Sequence, residues 1–277
     1  MKILPEIIST DQTCGIPGRS ITSNLALFRD FIAYYQSNNL HGYIISLDQE
    51  KAFDRVNHQF LIRIMKTCNF GENFINWINT IYKNNTSFIL QHGHLSLPVK
   101  ISRGVRQGCP LSALLYLLVG EVFAELVRQN KDVKGFKLPG SGTETKISQY
   151  ADDTELLLID ENFIVVACWL ISKFEKGSGA KLNETKTKIF PLHAMNQHLL
   201  SIIDEHTKFA VLDQGAPIAL LGIDLYLNYN FTCIANFNKI LEKIKTKTQI
   251  FYQRSLSLRG RTIVSNSHLA SKLCIYT

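Results

Sequence analysis

The sequence predicts an α+β fold built on an antiparallel sheet, and three observations predict it. Short β-branched and aromatic runs stand at positions 41–47, 133–138, 146–150 and 156–160, bounded by turn-forming residues as strands are. Longer segments with apolar residues at helical spacing lie at 20–38, 57–84, 110–129 and 162–176. The two kinds of segment do not alternate in a regular strand–helix–strand repeat, which argues against a doubly wound parallel sheet.

Taken in order, the segment at 20–38 opens with Ser20 and Thr22, whose hydroxyls can cap a helix, and continues with apolar residues at helical spacing. Positions 41–47 read as a buried strand ending at Asp48. Positions 57–84 read as two helices broken at 69–71, around Gly71. Residues 87–90 and 97–101 read as a hairpin with His92, Gly93 and His94 at its tip; a metal could be held there, but a polar tip is the favoured reading. Pro110 suits a first helical turn and begins an apolar helix to about Gln129. Strands at 133–138 and 146–150 are joined by a turn-rich stretch starting at Pro139, and a third strand at 156–160 follows across a short acidic turn. A helix from about Asn162 to Lys176 breaks at Gly177, Ser178 and Gly179.

With 277 residues, 45 % of them hydrophobic, the chain can bury a substantial core in one or two domains. Disorder and a small disulfide scaffold are excluded. The longest apolar runs, near 113–120 and 163–171, fall short of the ~20 residues of a spanning helix, so no membrane segment is expected. Pro5 and Glu6 interrupt the opening stretch before any signal-like segment forms, and the protein is read as intracellular. Cys14, Cys68, Cys109, Cys168, Cys233 and Cys274 show no metal-ligand spacing and read as reduced thiols.

The formal charge is +7. From position 236 onward stand Lys239, Lys243, Lys245, Lys247, Arg254, Arg259, Arg261 and Lys272 against the single acid Glu242, so the whole excess sits in one terminal segment. Lys239, Lys243 and Lys247 recur every four residues, which places them in one stripe of a helix beside an apolar one. Alone, such a stripe reads as a solvated face; in a chain that handles nucleic acid it reads as a phosphate contact.

The sharpest local feature is Asp152 beside Asp153, between two strand-like runs. An exposed Asp-Asp turn is ordinarily just a hairpin tip. Facing inward, two carboxylates this close repel unless a cation neutralises them, and their hard oxygens suit Mg²⁺. Asp48, at the end of another strand, supplies a third carboxylate, although by itself it would read as a strand-ending or capping residue. Three acids at two strand ends of one sheet can hold two metal ions at the roughly 4 Å spacing that phosphoryl transfer uses.

Three blocks then carry a resemblance: Asp48-Gln49-Glu50-Lys51-Ala52-Phe53-Asp54, Arg106-Gln107-Gly108-Cys109-Pro110-Leu111-Ser112, and Tyr150-Ala151-Asp152-Asp153. In this order they resemble palm motifs A, B and C of reverse transcriptases of LINE-type, non-LTR retrotransposons. Gly179-Ala180-Lys181-Leu182-Asn183 with Lys186-Thr187-Lys188 is similar to motif D, and Leu220-Leu221-Gly222 to the motif E hairpin. Ser257-Leu258-Arg259-Gly260-Arg261 is similar to the early thumb, and the segment from Gly15 to Ser20 to the fingers segment before motif A. The Arg106 and Gly179 blocks favour this group over intron-encoded maturases and nucleotidyl cyclases.

The resemblance implies a right-hand polymerase palm with an antiparallel sheet, partial fingers and palm over 1–235, and the start of a basic helical thumb over 236–277. It implies an RNA-directed DNA polymerase that adds deoxynucleotides from their triphosphates to a DNA primer 3′-hydroxyl on an RNA template. Asp48 and Asp152 would ligate two Mg²⁺ ions, for which Mn²⁺ can substitute, with Asp153 in the same catalytic and metal-binding cluster shaping its charge. Phe53 would lie under the incoming sugar and exclude a ribose 2′-hydroxyl; without the motif it would read as core. Arg106, Gln107 and Gly108 would meet the template and nucleotide at a tight turn, and Lys186 would stand near the triphosphate. Lys239, Lys243, Lys247, Arg259 and Arg261 would grip the primer–template backbone. Tyr150 would pack beneath the hairpin. The family also implies action in the nucleus, a fingers portion before Met1 and more thumb after Thr277. The alternative is a catalytically inactive, truncated retrotransposon remnant that at most binds nucleic acid.

Overall fold

The computed structural model describes residues 3–140, 142–194 and 197–270. Ser141 in the turn after Pro139, Lys272 of the basic segment and Cys274 lie outside them. A short helix α1 (Leu4–Ile7) precedes α2 (Ile21–Ser37), which starts where the Ser20 hydroxyl accepts the Thr22 N–H and satisfies a free first-turn amide. Strand β1 (Tyr43–Leu47) leads into a one-turn helix α3 (Ala52–Arg55). Next come α4 (His58–Thr67), capped by the Asn57 side chain, and α5 (Glu72–Tyr82); Asn69, at φ +57°, turns the chain between them.

The stretch at 86–101 is a nested ribbon in which β2 (Thr86–Ser87) pairs with β5 (Val99–Lys100), and β3 (Leu90–Gln91) with β4 (His94–Leu95), leaving His92 and Gly93 at an exposed tip. Helix α6 (Pro110–Gln129) begins at its proline as expected. It is followed by β6 (Phe136–Lys137), β7 (Glu144–Thr145), β8 (Ile147–Tyr150), β9 (Asp153–Leu158), α7 (Asn162–Ser178) and β10 (Lys188–Pro191). The remaining elements are α8 (Gln197–His206), β11 (Ala210–Val211), the hairpin β12 (Ile218–Leu220) and β13 (Ile223–Leu225), α9 (Tyr229–Tyr252) and α10 (Leu258–Val264).

The main sheet has the order β11-β10-β1-β9-β8, antiparallel throughout except for the parallel β10–β11 pair. Alternate residues of its strands serve two cores. Tyr43, Ile45, Leu156, Leu158 and Ile189 face the helices α4, α6 and α7. Ile44, Leu157 and Phe190 face Phe28, Phe31 and Tyr35 of α2 together with the β12–β13 hairpin. Each fully buried aromatic or branched side chain stabilises the fold by about 1.5–3 kcal/mol, so helices covering both faces fix which way each strand residue points.

Four expectations need adjustment. The strand expected at 133–138 shrinks to β6, because the Gly135 N–H goes to the Glu144 carboxylate at 2.7 Å rather than to a ladder partner. The strand expected at 156–160 starts at Asp153, directly after the turn, and ends at Leu158 because Asp160 turns to bond the Asn162 N–H at the start of α7. Helix α6 is, by length and composition, apolar enough to cross a bilayer, which uninterrupted runs undercounted because Glu121 and Glu125 punctuate it; more than half of that stretch is buried in the protein. The basic segment does not open an element at position 236, since α9 is already under way from Tyr229.

Candidate active site

The acidic residues converge because three strands end together. Tyr150 of β8 and Asp153 of β9 are register partners, which leaves Ala151 and Asp152 as a two-residue turn. Leu47 of β1 stands opposite Thr154, so one step further the register brings Asp48 opposite Asp153, at the ~5 Å spacing of neighbouring strands. Partial desolvation, then the charges of Asp152 and Asp48, push the Asp153 carboxyl above its ordinary value. Carboxylate repulsion thus adds to the burial, and a cation would relieve it. Among the described residues, no three His, Cys, Asp or Glu side chains form a ready-made metal cage. One or two carboxylates with the rest of the shell left to a phosphate ligand is instead the donor set of a hard divalent cation that arrives with its substrate.

Two sequence-distant segments are tied to the chain just after Asp48. The Asn183 N–H donates to the Asp48 carbonyl and the Glu50 N–H to the Lys181 carbonyl, both at 2.8 Å, while the Thr187 hydroxyl accepts the Asp48 N–H. This brings the loop carrying the exposed Lys186 beside the acids. Arg55 and then Lys181 pair with Glu50 at 3.0 and 3.4 Å and hold its carboxyl below the usual range. On the other side the Val105 N–H donates to the Phe53 carbonyl and the Gly104 N–H to Val56, and the Gln107 amide donates to Asp54 at 3.2 Å. Arg106, Gln107 and Gly108 are exposed there, and Gly108 takes φ +81° with open space where a Cβ would be. The Cys109 thiol that follows lies below its ordinary value because backbone N–H groups of Leu111 and Ser112 face it.

Phe53, half-buried, stacks on Tyr116 with ring centres 4.5 Å apart, and the Tyr116 hydroxyl donates to Gln49 at 2.9 Å. Burial, with Asp152 and Asp153 nearby, raises the Tyr116 phenol. Phe53 is therefore both a packing residue and a ring held at the edge of the acidic cluster. Tyr150 is half-buried beside Cys14.

The basic stripe is only partly free. Lys239 is bound to Asp224 of β13 at 2.8 Å, and α9 docks on that strand through Thr232, Asn236 and Ile240. Lys243, Arg259 and Arg261 are exposed and Lys247 half-exposed.

Sequence reasoning reached Arg19 only as part of the Gly15–Ser20 block and passed over three further residues that build this site. Gln12 and Arg19 hold the acidic turn from outside the sheet, Tyr116 supports Phe53, and Gly104, at φ +90°, lets the loop before α6 approach the Asp54 backbone. Glu155, two residues along β9 from Asp153, is 1 % exposed between Ser46 and Ser148, and its Oε2 has no partner. Burial, with the Asp153 charge, pushes its carboxyl up to about 8. Of these, Arg19 carried a signal through its block, and the glycine and the acid through their residue types alone.

Residues 1–225 match the family described as reverse transcriptase (RNA-dependent DNA polymerase). The transposon TX1 uncharacterized 149 kDa protein of Xenopus laevis is 32 % identical over 273 residues, 98 % of this chain and 20 % of that protein. The Pol polyprotein from type-1 retrotransposable element R2 of Popillia japonica is 31 % identical over 147 residues, 52 % of this chain and 20 % of that one. The chain thus spans about a fifth of the length of these curated relatives. Apo telomerase from Candida tropicalis superposes with a TM-score of 0.55 at 13 % identity over 82 % of this chain and 38 % of that one, which shows a shared fold.

Proposed function

Because the chain belongs to the reverse transcriptase (RNA-dependent DNA polymerase) family, in its LINE-type, non-LTR branch, we propose that it is an RNA-directed DNA polymerase domain. It adds deoxynucleotides to a DNA primer 3′-hydroxyl on an RNA template, with partial fingers and palm up to about position 235 and a thumb that begins with the basic part of α9. The observation that carries this reading is the meeting of Asp48, Asp152 and Asp153 at one end of the sheet, flanked by the loops of Phe53, Arg106 and Lys186.

Reverse transcriptases use divalent metal ions, and the repelling acids fit them. Asp48 and Asp152 would hold two Mg²⁺ ions, with Mn²⁺ as a substitute and Asp153 setting the local charge. Bound there, the ions supply electrostatic stabilisation of the α-phosphate and a more acidic primer hydroxyl. The chain's own residues do the positioning. Phe53, braced by Tyr116, presents a ring edge to the sugar and leaves no room for a 2′-hydroxyl. Arg106 and Gln107 bind the nucleotide and template where Gly108 lets backbone approach, and Lys186 offers a cation or proton to the departing pyrophosphate. Lys243, Lys247, Arg259 and Arg261 contact phosphates of the primer–template, and Lys239 contributes where it can leave Asp224.

The test is primer extension on an RNA template with Mg²⁺ or Mn²⁺, run beside Asp152→Asn. Loss of at least about 100-fold in a folded variant is expected. Extension that survives the substitution, or none from folded wild-type protein, would overturn the reading.

A further inference from the structure

We propose that Gln12 is a positioning residue that aims the Asp152 carboxylate, an inference that rests on the polymerase reading above. Asp152 follows Ala151 in the two-residue turn between β8 and β9, so the backbone angles of Ala151 set the direction in which Asp152 leaves the sheet. Ala151 takes φ +57°. That left-handed conformation costs a residue with a Cβ about 1–2 kcal/mol, and hairpin turns normally place glycine there. Something must therefore hold this alanine.

Gln12 does so with both ends of its amide. Its Oε1 accepts the Ala151 N–H at 3.0 Å, and its Nε2 donates to the Ala151 carbonyl at 3.3 Å, so the side chain pairs with one residue as a neighbouring strand would. The same Oε1 accepts the Cys14 N–H at 2.9 Å. Gln12 is 0 % exposed. Its own backbone is fixed against the outer edge of β8: the Gln149 N–H donates to the Asp11 carbonyl at 2.8 Å, and the Thr13 N–H donates to the Gln149 carbonyl at 3.1 Å. Arg19 closes the loop from behind, donating to the carbonyls of Gln12 at 2.7 Å, Ile8 at 2.9 Å and Ser9.

The chemistry selects glutamine. Glutamate lacks the donor, asparagine is one methylene short, and an apolar isostere strands two buried N–H groups. The hairpin itself does not require this support, because four register pairs already close it. What Gln12 adds is one fixed orientation of the Ala151 peptide groups and of the acid attached to them.

The experiment compares wild type with Gln12→Ala and the uncharged, near-isosteric Gln12→Met, both read well below their own melting temperatures so that a variant that fails to fold is recognised. Three quantities are read: amide hydrogen exchange across residues 147–153, the Mn²⁺ concentration that half-saturates binding by calorimetry, and the rate of single-nucleotide extension. Expected are at least tenfold faster exchange at Ala151 in both variants, weaker Mn²⁺ binding, and extension slowed roughly 10–100-fold with primer–template affinity and nucleotide KM within about twofold. Unchanged Ala151 exchange and unchanged Mn²⁺ binding in both variants would overturn the proposal even if wild type extends primers. If wild type extends nothing, the polymerase reading falls, and exchange with Mn²⁺ binding still decide the role of Gln12.

Discussion

Replacing Glu155 by glutamine removes an ionisation from the centre of the sheet while keeping its shape. In the folded chain this carboxyl titrates near pH 8, against the usual 4.5. Below pH 4.5 folded and unfolded chains both carry the proton and the site costs nothing extra. Between 4.5 and 8 the unfolded chain has released the proton and the folded chain keeps it, so stability falls by about 1.4 kcal/mol for each pH unit and levels off above 8. At pH 7 the accumulated cost is on the order of 3 kcal/mol. Glutamine has no such slope and keeps the uncharged state that the folded site already holds below pH 8. Urea unfolding of both proteins at half-unit steps from pH 5 to 9, with chelator present so that no divalent cation recharges the neighbouring acids, reads the difference directly. The two stabilities are expected to differ by less than about 1 kcal/mol at pH 5 and by roughly 3 kcal/mol at pH 7 in favour of Glu155→Gln. Parallel curves across the range would refute the reasoning.

Gly104→Ala puts a Cβ 2.7 Å from the Asp54 carbonyl oxygen at φ +90°, whereas Gly108→Ala at φ +81° meets nothing within 4 Å. Thermal unfolding is expected to drop by about 6–12 °C for the first and clearly less for the second; equal shifts would remove the clash from the argument. In nucleic-acid binding followed against salt, Lys243→Gln and Lys247→Gln should each lower the slope of log K on log salt by about 0.9 on a duplex. Lys239→Gln should lower it less, since its ammonium is already held by Asp224 at 2.8 Å. Three equal decrements would show that the ion pair opens at no cost.

Most of the strands and helices up to α7 and the run of acids were legible in the sequence because each rests on local signals, whereas β10, α8 and β11 were not. Pro110 starts α6, Ser20 caps α2, and alternation of Tyr43, Ile44 and Ile45 between two cores marks a strand covered on both faces. What local pattern could not give was register across long separations. Nothing near Gln12 in the sequence says that its amide meets Ala151, 139 residues away. Nothing near Asp224 says that it will neutralise a lysine of the basic stripe. Glu155 falls in the acidic turn before the strand expected at 156–160, and only the pairing of β9 with both neighbours and the packing of α2 over that face make it a buried acid.

The same distinction accounts for how the fold persists at 13 % identity to telomerase. The segments around the acids are joined mainly through main-chain groups: Glu50 to Lys181, Asn183 to Asp48, Val105 to Phe53, Gly104 to Val56, and Thr13 with Asp11 to Gln149. Main-chain bonds do not depend on side-chain identity, so most positions around them can change freely. Constraint then falls on the few residues whose backbone or amide has no substitute: Gly104, and Gly179, whose Cβ would come 2.9 Å from the Arg55 carbonyl oxygen, together with the glutamine that holds Ala151. A substitution at Gly104, Gly179 or Gln12 should therefore impair the site more than a substitution at an exposed residue of a flanking loop, such as Thr185 beside Lys186.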